Sequence, residues 1–122
     1  MSISFEGEEI SQNPLKKIWN QHFAFKSFPT NTRAFRLSLK EFQKMYTRFY
    51  DHESKDLSIK EYGKIVPWED CYGFVTRVLL EQLEEEFFFI FTRTSSYPLN
   101  DVLLHELKHI FNNDVPTTFK TF

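Results

Sequence analysis

A single cysteine, Cys71, in a chain of 122 residues excludes an internal disulfide framework and leaves a metal site to be built mainly from His and carboxylate donors. No run approaches the roughly 18 uninterrupted apolar positions that a membrane-crossing helix needs, so a soluble protein with no membrane partner is expected. Charge of one sign is equally scarce. Fifteen Lys and Arg stand against seventeen Asp and Glu, for a net charge of −2, so no basic field exists to hold a phosphate backbone and nucleic acid is not an expected partner. Met1 leads into polar Ser2–Ile10 without a basic-then-apolar leader, which makes the cytoplasm the expected compartment. Gly, Pro and Ser never accumulate into a linker, and residues 1–122 therefore read as one domain. What the chain has in abundance is Phe, fifteen of them, for which an AT-rich coding bias is a sufficient reason.

The hydrophobic pattern gives an alternation of helices and strands. Asn13-Pro14 opens a first helix carrying Leu15, Ile18, Trp19, His22 and Phe23 at helical spacing, to about Ala24. Phe25–Phe28 and Arg33–Leu37 flank Pro29–Thr32 and read as two strands of a hairpin. Ser38-Leu-Lys-Glu41 is a capping box that opens a second helix with Leu39, Phe42, Met45, Tyr46, Phe49 and Tyr50 on one face, to about Asp51. Ser58-Ile-Lys-Glu61 repeats the box, but Gly63 and Pro67 limit it to a turn or two. From Trp68 to Glu86, the positions Cys71, Tyr72, Val75, Val78, Leu79 and Leu83 predict a long third helix. Phe87–Thr94 predicts a strand covered on both faces, and a last helix is expected from Pro98 or Asn100 to before Pro116. The expected class is α+β, with helices packed on a short sheet.

That last helix contains His105-Glu106-Leu107-Lys108-His109, the HExxH pattern. Two His at i and i+4 project from one side of a helix, one turn apart, where both imidazoles reach a single Zn²⁺ at about 2.0–2.1 Å. Glu106 adjoins the metal without ligating it, so it is placed to take a proton from water and return it to a leaving amine. At this composition an accidental HExxH has roughly a 1% chance. Leu103, Leu104, Leu107, Ile110 and Phe111 share an arc of about 120°, and His105 and His109 lie about 40° apart on the opposite side. The alternative is a solvated helix face that happens to carry two His.

The segment Leu103-Leu-His-Glu-Leu-Lys-His-Ile-Phe-Asn-Asn-Asp-Val115 resembles the active-site helix of zincin metallopeptidases. It is most similar to the gluzincin branch, in which HExxH is followed five residues later by Asp, here Asp114. The size resembles the small single-domain minigluzincins. The resemblance implies a zincin-like fold, a Zn²⁺ cofactor, peptide or protein substrates, His105 and His109 as metal ligands and Glu106 as the catalytic base.

Gluzincins draw their third ligand from a Glu well downstream, whereas thirteen residues follow His109 here and none is Glu. Val115 occupies the position where metzincins carry a further ligand. Asp114 is the first candidate for the third metal ligand, provided the helix breaks at Asn112-Asn113, since Asn tolerates the left-handed conformation of a helix end. Glu84, Glu85 and Glu86 come next, then His52 and His22, for which a solvated charge run, a helix-end cation and a partly buried His are the plainer readings. Cys71 reads as a small core residue. The Phe87–Thr94 strand, placed at a sheet edge, would accept an extended peptide by strand addition. Two functions follow: a minimal zinc peptidase, or a non-catalytic interaction or regulatory domain that retains the zincin-like helix.

Overall fold

The structure, a computed structural model, describes residues 5–49, 71–80, 83–115 and 120–121. Its elements in chain order are β1 (Glu8–Ile10), α1 (Gln12–His22), β2 (Thr32–Leu37), α2 (Leu39–Phe49), β3 (Gly73–Leu80), β4 (Glu85–Arg93), α3 (Leu99–Phe111) and β5 (Lys120–Thr121). The expected turn at Ser58–Glu61, the beginning of the expected third helix at Trp68, and His52 lie outside the described residues.

The class is α+β. The strands form one mixed sheet in the order β1-β2-β4-β3-β5. β2 runs parallel to β4 with Ala34 opposite Ile90, and β3 runs antiparallel to β4 with Gly73 opposite Thr92 and Leu80 opposite Glu85. Because β4 is central, Phe89, Ile90, Phe91 and Thr92 are buried in succession, as a strand covered on both faces requires. The expectation that this strand offers a sheet edge to a peptide is therefore corrected: both of its edges are already hydrogen-bonded, to β2 and β3.

Each face of the sheet has its own core. On one, α1 and α3 pack Leu15, Ile18, Trp19, Leu103, Leu107 and Ile110 over Ala34, Val75 and Ile90. On the other, α2 packs Phe42, Met45, Tyr46 and Phe49 over Phe35, Phe74, Phe89 and Phe91. Ser38 caps α2 as its box predicts, its Oγ accepting from the Glu41 N–H at 3.2 Å. Aromatic side chains fill both layers, with Phe23 stacked on Phe111 at 4.5 Å and Phe74 against Phe91 at 5.2 Å.

Two expectations give way. Where a long helix from Trp68 to Glu86 is expected, the described residues form strand β3, a turn at Leu83-Glu84 and the start of β4. Phe74, Val78 and Leu80 enter the core under α2 while Val75 enters the core under α1 and α3, so apolar residues on both faces erase the period of two that would have marked a strand. The turn closes with Glu84 at φ 51°. The hairpin is also wrong in one arm. Phe25–Phe28 forms a turn rather than a strand, held where Trp19 Nε1 donates to the Lys26 carbonyl at 2.7 Å, and β2 takes β1 as its antiparallel partner.

Candidate functional site

The site is set by how α3 ends and by how closely it approaches β3. The helix stops at Phe111, and Asn113 adopts φ 56°, a left-handed conformation that Asn accepts more readily than most residues. The Asn113 N–H bonds the Ile110 carbonyl at 3.1 Å and the Asp114 N–H bonds the His109 carbonyl at 3.0 Å, which is the paired 5→2 and 6→1 pattern of a Schellman end. This reversal folds Asp114 back along the helix, where a continued helix would have pointed it toward the core.

Asp114 Oδ1 consequently lies 2.7 Å from His109 Nδ1. The other nitrogen, Nε2, faces His105 Nε2 at 3.3 Å, with the two rings nearly perpendicular. Both imidazoles are partly exposed on the same side of α3. Burial first, then the positive potential of His109 and Lys108, holds the His105 pKa below its usual value, with Asp114 opposing. His105 is therefore neutral at pH 7, the form that offers a lone pair.

Glu106 sits between them in sequence and faces inward, with 5% of its surface exposed. Burial, and secondarily the charge of Asp114, raises its carboxyl pKa to about 8. What makes room beside it is Gly73: a Cβ there would fall 2.7 Å from Val102 Cγ1 and 3.6 Å from Glu106 Cγ. Gly73 thus marks where β3 and α3 come closest. Beyond this contact opens a cleft of about 370 Å³ lined by Cys71, Tyr72, Gly73, Tyr97, Asp101, Val102, His105 and Glu106. The Cys71 thiol donates to the Gly73 carbonyl at 3.0 Å, and burial followed by Glu106 pushes its pKa up to about 11, so it is a protonated wall and no nucleophile.

The structure brings together His105, Glu106, His109 and Asp114 and leaves the other candidates elsewhere. Glu84, Glu85 and Glu86 are exposed at the far end of β3, about 23 Å along the strand from Gly73 by strand rise. His22 is exposed at the end of α1 beside Phe23. Among the described residues, no group of three or more His, Cys, Asp or Glu converges to hold a metal ion. Asp114 contacts His109 on the nitrogen turned away from His105, so it reaches the pair as a hydrogen-bond partner of one imidazole.

Sequence reasoning missed Tyr72, Gly73, Tyr97, Asp101 and Val102. One signal was present: Gly73 is a lone glycine inside an apolar run, which in a strand marks a close approach. Asp101 precedes His105 by four residues and so shares its face of α3. Comparison with family models, with curated proteins and with solved structures returned no match.

Proposed function

We propose that this protein is a minimal zinc-dependent metallopeptidase of zincin-like type, with His105 and His109 as metal ligands and Glu106 as general base. One observation supports this above the others, namely the 3.3 Å between the two Nε2 atoms. Two nitrogens on neighbouring corners of a tetrahedron, each about 2.05 Å from zinc, are separated by about 3.3–3.4 Å. The donors fit the metal in type as well, since both are imidazoles and Asp114 holds one of them by its distal nitrogen, the usual arrangement around a ligating His.

When bound, zinc would polarise the scissile carbonyl and make the attacking water more acidic. The remaining steps belong to the chain. The Glu106 carboxylate accepts the water's proton as the water adds to the carbonyl carbon, then delivers that proton to the departing amine nitrogen as the C–N bond breaks. Its burial gives it a pKa near neutrality, suited to both halves of that transfer. Asp114 fixes the ring of His109 and strengthens it as a donor.

The second reading, an interaction domain without catalysis, is favoured by the lack of a third metal ligand among the described residues. A cytoplasmic setting goes with either reading, given one cysteine that is free. No helix among the described residues is long and apolar enough to cross a membrane. The deciding experiment pairs zinc stoichiometry with digestion of a peptide library by wild type and by Glu106→Gln. The peptidase reading requires one zinc per chain and cleavage that the variant loses.

A further inference from the structure

His105 and His109 stand on the outward side of α3, and that placement gives them a use beyond holding a metal for one chain. We propose that two copies of this chain share one zinc ion through the His105–His109 pair of each, a closed form in which the peptidase site is blocked. The inference rests on the reading above of this pair as metal ligands and names a regulation of that site.

Donor geometry is the first ground. A structural zinc takes four protein donors in a tetrahedron, whereas a catalytic zinc keeps one corner for water. The 3.3 Å between the two Nε2 atoms suits two neighbouring corners. The carboxylates beside the pair are directed elsewhere. Asp114 Oδ1 meets His109 Nδ1 at 2.7 Å, on the nitrogen turned away from His105, and Glu106 is buried with 5% of its surface exposed. The pair is therefore a two-nitrogen clamp, and a second clamp of the same bite supplies the other two corners.

Access is the second ground. Leu103, Leu107 and Ile110 turn α3 toward the sheet, and the opposite ridge carries Asp101, His105, Lys108 and Asn112, all exposed, with 36% of the His109 side chain exposed beside them. Asp101 and Asn112, which flank the pair along the helix, are short, and Lys108 has a flexible stem that swings aside. Symmetry is the third ground. A two-fold axis through the metal sets one patch against itself, the commonest arrangement in soluble assemblies, and so needs no separate complementary surface. A net charge of −2 per chain opposes that approach only weakly. Because the ridge is polar, the bridge depends on the metal, and chains without zinc stay single. Four imidazoles leave no corner for water or a carbonyl oxygen, so the shared zinc cannot serve hydrolysis. Excess zinc loads each clamp separately by mass action and returns single chains with an open site.

Sedimentation velocity of the full chain, purified metal-free, across a zinc titration tests this, with cleavage of a peptide library followed on the same samples. Expected are a doubling of mass complete at one zinc per two chains, its reversal by chelator or by excess zinc, and cleavage that stays at background until zinc passes that ratio. His105→Ala and His109→Ala should stay single at every ratio. His22→Ala, which removes an exposed imidazole outside the pair, should double like wild type. One zinc bound per chain with no doubling at any ratio overturns the bridge and leaves the peptidase. Doubling that depends on the pair, with no cleavage at any zinc level, removes the peptidase and keeps the bridge. Doubling that survives His105→Ala, or full cleavage by the doubled form, overturns the shared closed site, and failure to bind zinc at all removes both readings.

Discussion

Asp114 Oδ1 stands 2.7 Å from His109 Nδ1, across a helix end whose left-handed residue is Asn113. The side chain that orients one imidazole is thus delivered by backbone geometry, and His105 and His109 depend on it unequally. Asp114→Ala should lower zinc affinity by about 10–100-fold, the usual effect of losing such a partner, without changing the one-to-one stoichiometry. Competition with a chromophoric chelator checks this. Complete loss of the metal would make Asp114 a ligand.

The helix end itself is testable by substitution. Gly adopts the φ of 56° at Asn113 freely, so Asn113→Gly should leave stability and zinc affinity nearly unchanged. Val is β-branched and strained there, so Asn113→Val should destabilise by about 1–2 kcal/mol and weaken zinc binding through misplacement of Asp114. Urea unfolding of the two variants gives the comparison. Equal stability of both would mean that the left-handed residue does not set the reversal.

Buried Glu106 makes the metal-free protein sensitive to pH. Burial raises its folded-state pKa to about 8 from the ordinary carboxyl value of 4.5, so between these values the folded chain binds more protons than the unfolded one. The contribution is complete below the unfolded pKa and disappears as pH rises through about 8. Metal-free wild type should therefore unfold more easily at about pH 9 than at about pH 5, and Glu106→Gln, uncharged throughout, should lose that slope. Denaturation of both proteins across this range supplies the difference. Parallel curves would contradict the buried acid.

Cys71 should be inert. With its pKa pushed up to about 11, mainly by burial, less than about one thiol in a thousand is ionised at pH 7.5, and the thiolate is the reactive form. Labelling by iodoacetamide should be far slower in the folded chain than in urea. Fast stoichiometric labelling of the native protein would show the cleft to be more polar than its lining implies.

The parts of this molecule legible in its sequence were those written in a single period. α2 carries one apolar face and its cap, and α3 carries the HExxH spacing with an opposing core stripe, so both stand where the pattern puts them. β3 was not legible because Phe74 and Val75 serve opposite cores, and consecutive buried residues match a helical stripe as well as a strand. Phe25–Phe28 misled for a different reason. Its aromatics satisfy α1 and α3, with Phe25 edge-on to Phe111 at 5.3 Å, and strand pairing plays no part. For the site, the His105–Glu106–His109 trio came from spacing alone. Asp114 was legible as a candidate residue, but not its contact with His109 Nδ1, since the direction of its carboxylate depends on the φ of Asn113. The cleft stayed hidden because Tyr72 and Asp101 meet only through the packing of β3 on α3.

The most direct measurement is zinc content and peptide cleavage on one preparation of wild type, Glu106→Gln and His105→Ala, purified metal-free and then supplied with zinc. The account predicts one zinc per chain in wild type and in Glu106→Gln, a fall in cleavage of about 10²-fold or more in Glu106→Gln, and loss of both zinc and cleavage in His105→Ala. Stoichiometric zinc with no cleavage by wild type above the Glu106→Gln background would contradict catalysis and leave the interaction domain. Loss of zinc from Glu106→Gln would make Glu106 a ligand and end the zincin-like reading.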